Sequence, residues 1–200
     1  MTAPPDLRTP RLALTPIAPA DAGRVAQIAA HPDVVSMTIS VPQPMTVNLA
    51  NDWIARQRQA IEAGTAVTYL ARLGRDGPGL GVVALHHIDL VHRCAELSFW
   101  FGSEARGCGY ASESAAALVR HGFDEIGLHR IEAYHMVWNI PSERLLERVG
   151  FRFEGILRER VIKGSVRHDV KLWARLRTDT LGEAPCALKE SSAHEQFRGT

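Results

Sequence analysis

The chain has almost no surplus of charge and few cysteines. Its 200 residues carry 23 Lys+Arg against 22 Asp+Glu, so the formal charge is only +1 with the nine histidines neutral. That balance argues against a partner such as nucleic acid or another polyanion. Three cysteines, Cys94, Cys108 and Cys186, are odd in number and widely spaced, which removes both a disulfide framework and a CxxC metal pair. Reduced thiols in a cytoplasmic setting are expected. No apolar run approaches the ~20 residues needed to cross a bilayer, and Met1 to Pro10 has neither a basic start nor an apolar h-region; the reading is of a soluble, unexported protein with no membrane partner. Internal repeats and low-complexity blocks are lacking too. What is present, 46% hydrophobic and 22% charged residues with 16 Gly and 11 Pro, is an ordinary globular composition. It predicts one domain with one core.

Leu12 and Leu14 alternate with small or polar neighbours up to Pro16, as in a short strand. Asp21 then reads as the N-cap of a helix carrying Val25, Ile28 and Ala29 on one face and stopped by His31 and Pro32. After an irregular segment over Pro32 to Pro44, Thr46 to Gly64 predicts a second helix, with Thr46 as cap. The period then changes. Ala66 to Leu73, the turn-rich Gly74 to Gly79 and Leu80 to Leu90 form a hairpin, and Cys94 to Phe101 extends the meander. Ala111, Ala115, Leu118, Val119, Gly122, Phe123 and Ile126 trace a helical stripe. Arg130 to Val137 reads as strand and Pro141 to Val149 as a short helix. Phe151 to Ile162 and Val166 to Leu176 close the pattern as a hairpin turning at Lys163-Gly164-Ser165. The expected class is α/β (α+β), a single mixed, mostly antiparallel sheet of about seven strands flanked by helices. Residues 1–177 would form the domain, and 178–200, poor in periodicity, a tail that is mobile or docks elsewhere.

The segment richest in chemistry is Glu96-Leu97-Ser98-Phe99-Trp100-Phe101 followed by Arg106-Gly107-Cys108-Gly109-Tyr110-Ala111. It is a strand, a glycine-bearing turn and a helix start. Glycines let backbone N–H groups crowd together, and the helix N-terminus adds unpaired donors with partial positive charge. That combination suits an anion; it also suits a tight turn with no ligand. No Gly-Lys-Ser/Thr follows, so it is not a Walker loop, and the third glycine of the dinucleotide fingerprint is missing.

Arg106 to Ala111 has the form Arg/Gln-x-x-Gly-x-Gly/Ala, and Asn139-Ile140-Pro141-Ser142 with Glu147-Arg148-Val149-Gly150-Phe151 gives Asn-x-x-Ser followed by Gly-Phe. Together they resemble the GNAT superfamily of N-acetyltransferases. Thr9 to Leu14 with Asp21, and the Gly155 to Asp169 hairpin with Arg158-Glu159 and His168-Asp169, are similar to its Rim-type branch, the ribosomal-protein N-terminal acetyltransferases. The likeness runs over residues 7 to 177. It implies acetyl-CoA in a V-shaped opening between the Cys94–Phe101 and Arg130–Val137 strands. Backbone groups of Phe99, Trp100 and Phe101 would meet the pantetheine arm, and amides of Arg106, Gly107, Cys108, Gly109, Tyr110 and Ala111 the pyrophosphate. Asn139 would lie along the pantetheine and Ser142 near the sulfur. Cys108 and Ser98 stand where the family often has Lys or Arg and Gly, respectively.

Acetyl transfer needs a neutral amine, and an α-amine near pKa ~8 gives up its proton more readily than a lysine near ~10.4. Ser142 is the expected proton donor to the leaving thiolate and backbone N–H groups near Trp100 the oxyanion donors. Glu96, acting through water, is the expected base, with Glu132, His135 and Glu159 as competitors. No metal is expected: His86-His87, His92 and Cys94 could be assembled on paper, but neighbours in a strand point to opposite faces. Trp53 and Trp138 could line a substrate groove, while Trp100 and Trp173 read as packing residues. The expected partners are acetyl-CoA and an amine acceptor, with a homodimer through an exposed strand. Acetylation of a small amine (polyamine, antibiotic or amino-acid-like) and a non-catalytic acyl-CoA-binding module are the rival readings.

Overall fold

The computed structural model describes residues 4–39, 41 and 43–179. Eight strands make one sheet: β1 (Leu7–Arg8), β2 (Leu12–Pro16), β3 (Val67–Leu73), β4 (Gly79–Asp89), β5 (Cys94–Phe101), β6 (Arg130–Met136), β7 (Arg152–Lys163) and β8 (Val166–Leu176). The sheet order is β1-β2-β3-β4-β5-β6-β8-β7. Five helices flank it: α1 (Ala22–Ala29), α2 (Pro32–Met37), α3 (Val47–Glu62), α4 (Tyr110–Asp124) and α5 (Ile140–Arg148). The strand beyond the expected seven is β1, whose two residues pair with Ala13 and Leu14 and are too short for a sequence period to register.

Thr46 caps α3 as expected, its Oγ1 accepting from Leu49 N at 3.2 Å. Asp21 precedes α1 but makes no side-chain cap bond. Its carboxylate accepts from the Ala18 amide at 3.0 Å and pairs with Arg72 on β3 instead. The segment expected to be irregular contains α2, which starts at Pro32 with the His31 side chain accepting from Asp33 N.

The core lies on both faces of the sheet. One side gathers Leu118, Val119 and Phe123 of α4 with Leu85, Leu97 and Ile131 of the strands. The other gathers Val25 and Ile28 of α1 and Ile54 of α3 with Leu70, Val82 and Trp100. Residues alternate faces along β5: Ala95 and Leu97 lie under α4, while Trp100 lies under α1 and α3. Glu96 and Ser98 share the Trp100 face by the same period.

Every neighbouring pair is antiparallel except β5 and β6, which run parallel and pair only over Cys94↔Arg130 to Leu97↔Ala133. Beyond that point β5 stays with β4 as far as Gly81↔Phe101, and β6 stays with β8 as far as Met136↔Val170. The sheet therefore splits into two arms around a V-shaped opening. Of the expected C-terminal tail, Thr178 and Asp179 fall among the described residues; Asp179 Oδ2 accepts from Leu176 N at 2.8 Å and its Oδ1 lies 3.3 Å from Arg152. The remainder, with Cys186, lies outside them. No helix of the described residues is long and apolar enough to cross a membrane.

Candidate active site

The opening starts where Leu97 and Ala133 end their ladder. From Ser98 to Phe101 the β5 edge facing β6 has no strand partner, so its backbone groups are available to an extended ligand. Phe99, Trp100 and Phe101 all lie on this edge; Trp100 is buried and packs edge-on against Trp53, ring centroids 6.0 Å apart. Trp53 thus joins the core rather than a groove, as does Trp173. Trp138 is 44% exposed and meets His168 edge-on at 5.0 Å.

At the end of β5 a 3₁₀ turn, Ser103–Ala105, leads into Arg106 and the glycine turn. Gly107 has φ +71° and Gly109 φ +78°, left-handed values that glycine adopts at no steric cost. A Cβ at Gly107 would meet nothing within 4 Å, so conformation and not room selects glycine there. Gly109 is the N-cap of α4 and offers no side-chain acceptor. Glu113 N bonds Gly109 O at 3.0 Å as the first intrahelical bond, which leaves the Tyr110, Ala111 and Ser112 amides without an acceptor inside the helix. These donors, with the helix dipole behind them, are open to an anionic partner.

Side chains brace this turn from two directions. Arg11 Nη1 donates to Cys108 O at 2.8 Å, its Nε to Glu113 Oε2 at 2.6 Å, and its guanidinium lies 4.6 Å from the Tyr110 ring centroid. Thr9 Oγ1 also donates to Glu113 at 2.5 Å. Burial pushes the Glu113 carboxyl up, but the bonds from Thr9 and Arg11 outweigh it and hold the group below its ordinary value. Glu113 at the first turn is therefore a neutralised partner of Arg11. Arg106 Nη1 reaches Asp33 Oδ2 of α2 at 2.5 Å. Cys108 is exposed.

On the other arm, β6 turns through Val137 and Trp138 into Asn139, which is buried and caps α5. Its Oδ1 accepts from Ser142 N and its Nδ2 donates to Met37 O, both at 3.2 Å. The Asn139 side chain is thus engaged at both ends as cap and tether. Ser142 is half-buried in the first turn of α5, and its hydroxyl has no hydrogen-bond partner among the described residues.

Glu96 stands one residue before the parting, opposite Glu132 on β6 and His86 on β4. Burial raises its pKa, with Glu132 adding to the effect and His87 and Arg160 opposing it. Glu132 is held by Arg130 Nε and by the Tyr134 hydroxyl, each at 2.8 Å. His135 is buried on the opposite face: its Nδ1–H donates to Met136 O at 2.8 Å, its Nε2 accepts from Trp173 Nε1 at 2.9 Å, and burial lowers its pKa. That ring is a packing residue in a fixed neutral tautomer. Glu159 sits on an exposed bulge of β7, its amide donating to Asp169 at 2.7 Å. Glu96 thus combines a pKa raised by burial with a place at the parting of the strands.

His86 and His87 do not point to opposite faces as a regular strand would require. A bulge slips the register between His86 and Asp89, and His86 Nε2 meets Ser98 Oγ at 2.7 Å while His87 reaches Glu96, two residues away on the same face. Among the described residues no three His, Cys, Asp or Glu converge as a metal site. Lys163, which no motif marked, donates from Nζ to Val35 O, Ser36 O and Thr38 O at 2.5, 2.9 and 2.7 Å, tying the end of α2 to the β7–β8 hairpin.

This architecture has known counterparts. A family model described as an acetyltransferase (GNAT) domain matches residues 11–152. The uncharacterized N-acetyltransferase p20 of Bacillus licheniformis is 30% identical over 178 residues, 88% of this chain and 98% of that protein. The ribosomal-protein-serine acetyltransferase of Escherichia coli (strain K12) is 29% identical over 97 residues, 48% of this chain and 54% of that protein; the chain spans about half the length of most such curated relatives. Among solved structures, Mycobacterium smegmatis RimJ in complex with CoA-disulfide superposes with a TM-score of 0.78 at 25% identity, covering 86% of each chain. With the domain matched from strand β2 to the start of β7 and a relative aligned along nearly its whole length, the chain belongs to the GNAT acetyltransferase family.

Proposed function

We propose that this chain moves the acetyl group of acetyl-CoA to a primary amine by direct attack on the thioester, with the N-terminal α-amine of a protein or peptide as preferred acceptor. The observation that carries the reading is the parting of β5 from β6 beyond Leu97 and Ala133, ending at the left-handed glycine turn that opens α4. A pantetheine arm can complete the open β5 edge from Ser98 to Phe101 as a missing strand would. Its pyrophosphate then falls to the amides of Arg106 to Ala111, where no Cβ stands at Gly107 or Gly109 to obstruct it.

Acetyl-CoA supplies an activated acyl thioester. Glu96 takes a proton from the acceptor's ammonium, directly or through one water, so that the nitrogen lone pair is free to attack. Backbone N–H groups near Trp100 stabilise charge developing on the carbonyl oxygen. Ser142 Oγ–H gives its proton to the departing thiolate and regains one from the nitrogen that becomes the amide. Asn139 fixes the first turn of α5 and so the place of Ser142. The ribosomal-protein-serine acetyltransferase among the relatives supports a protein acceptor, and the lower basicity of an α-amine favours its N-terminus. The reading includes a cytoplasmic setting, and a second copy paired along β7, the edge strand that exposes Ile156 and Ile162.

The test is mass-spectrometric detection of acetyl transfer to a panel of free-N-terminus peptides, N-blocked lysine peptides, polyamines and aminoglycosides. Acetylation confined to free N-termini is the expected result. Transfer only to small amines would replace the acceptor, and acetyl-CoA binding without any product would leave a binding module.

A further inference from the structure

The bulge of β4 does more than interrupt a ladder. His87 adopts φ +50°, a left-handed value rare for a residue with a Cβ, and bulges recur beside active sites where they re-aim a side chain. Here the re-aimed ring reaches the carboxylate at the parting of the strands: His87 Nδ1 lies 3.4 Å from Glu96 Oε2. Its neighbour His86 has a different part. Burial pushes the His86 pKa down to about 4, so that ring is neutral near pH 7 and serves as a hydrogen-bond partner of Ser98.

The groups facing Glu96 come from three strands. From β4 there are His86 and His87, from β6 Glu132 with its partners Arg130 and Tyr134, and from β7 Arg160. His87 is the member of this set within ion-pair distance of Glu96. It is also open to water: its side chain is 83% exposed against 34% for Glu96. A half-buried carboxyl is thus joined to solvent by an imidazole.

We propose that His87 is a positioning residue for Glu96: as an imidazolium it orients the carboxylate toward the acceptor and holds it ionised. The proposal rests on the reading of Glu96 as the base. In the sequence of steps, the N–H bond of the acceptor breaks as an O–H bond forms on Glu96. That O–H bond then breaks as the proton leaves to water beside the exposed His87 ring, which restores the carboxylate–imidazolium pair.

The test uses the full chain and two variants, His87→Asn, which tolerates the left-handed backbone, and His87→Lys, which keeps a cation. Glu96 is followed by carbon-detected NMR titration of its carboxyl, and the acid limb of the acceptor kcat/KM profile is measured alongside. In His87→Asn both the titration and the limb should move to higher pH by about 0.5 unit, a ~3-fold change in the proton affinity of Glu96. His87→Lys should bring both back to the wild-type position or below it. A Glu96 titration unchanged in His87→Asn would overturn the proposal. If Glu96→Gln keeps full activity the base assignment fails, while the NMR arm still decides whether His87 controls the Glu96 charge.

Discussion

Burial raises the pKa of Glu96, and at the scale of one residue that shift links activity to stability. A carboxyl whose pKa rises on folding binds its proton more tightly in the native than in the unfolded chain. Stability is then lost as pH climbs from the unfolded value near ~4.3 through the raised native one. Glu96→Gln removes this loss, so its melting temperature should gain on the wild type as pH rises from 4 to 8. A gap that shrinks with rising pH would contradict the burial of the charge. The same variant should lose about 10²- to 10⁴-fold in acetyl transfer, the range for removing a general base. In the wild type, activity should fall on the acid side with a midpoint above the ordinary carboxylate range. Ser142→Ala should lower kcat while leaving acetyl-CoA affinity, read by calorimetry, where it was. Glu96 and Ser142 stand out in the sequence because they sit at the ends of a strand and a helix that the resemblance marks. His87 does not, since a regular strand would send it to the other face.

The elements differ in how much of themselves is local. Helix α4 and its glycine turn are written in a short window, a turn with two glycines and then an apolar stripe, and the structure follows it. Because Gly109 has φ +78° with Arg11 Nη2 3.5 Å from its would-be Cβ, Gly109→Val should abolish acetyl-CoA binding while circular dichroism still reports a folded protein. Helix α2 shows the opposite case. Six residues are too few to stand alone in water, and no apolar stripe announces them. What holds them are Lys163 at one end, Asn139 at Met37 and the Asp33–Arg106 pair at the other. Desolvation lowers the Lys163 pKa, yet its three carbonyl partners keep it in place. Lys163→Met should therefore speed hydrogen exchange in α2 and raise the acceptor KM several-fold, with acetyl-CoA affinity unchanged.

For the whole molecule, stability comes from two apolar layers pressed on a single sheet. Leu118 is fully buried between α4 and the strands, so Leu118→Ala should cost about 3 kcal/mol in urea unfolding. The order of the elements other than β1 and α2, the class of fold and the place of the glycine turn were determined by the sequence itself. Alternation, helical period and turn residues act between near neighbours, and such patterns can be read directly. Tertiary structure alone decided where β5 and β6 part, because each strand follows its outer partner, β4 or β8, past Leu97 and Ala133. It also decided that Glu113 is spoken for by Arg11, 102 positions away, and that Lys163 braces Val35 across 128. The tandem histidines share one face because of a slip in pairing with a neighbouring strand. Each of these depends on which distant residues meet, and no local period records that.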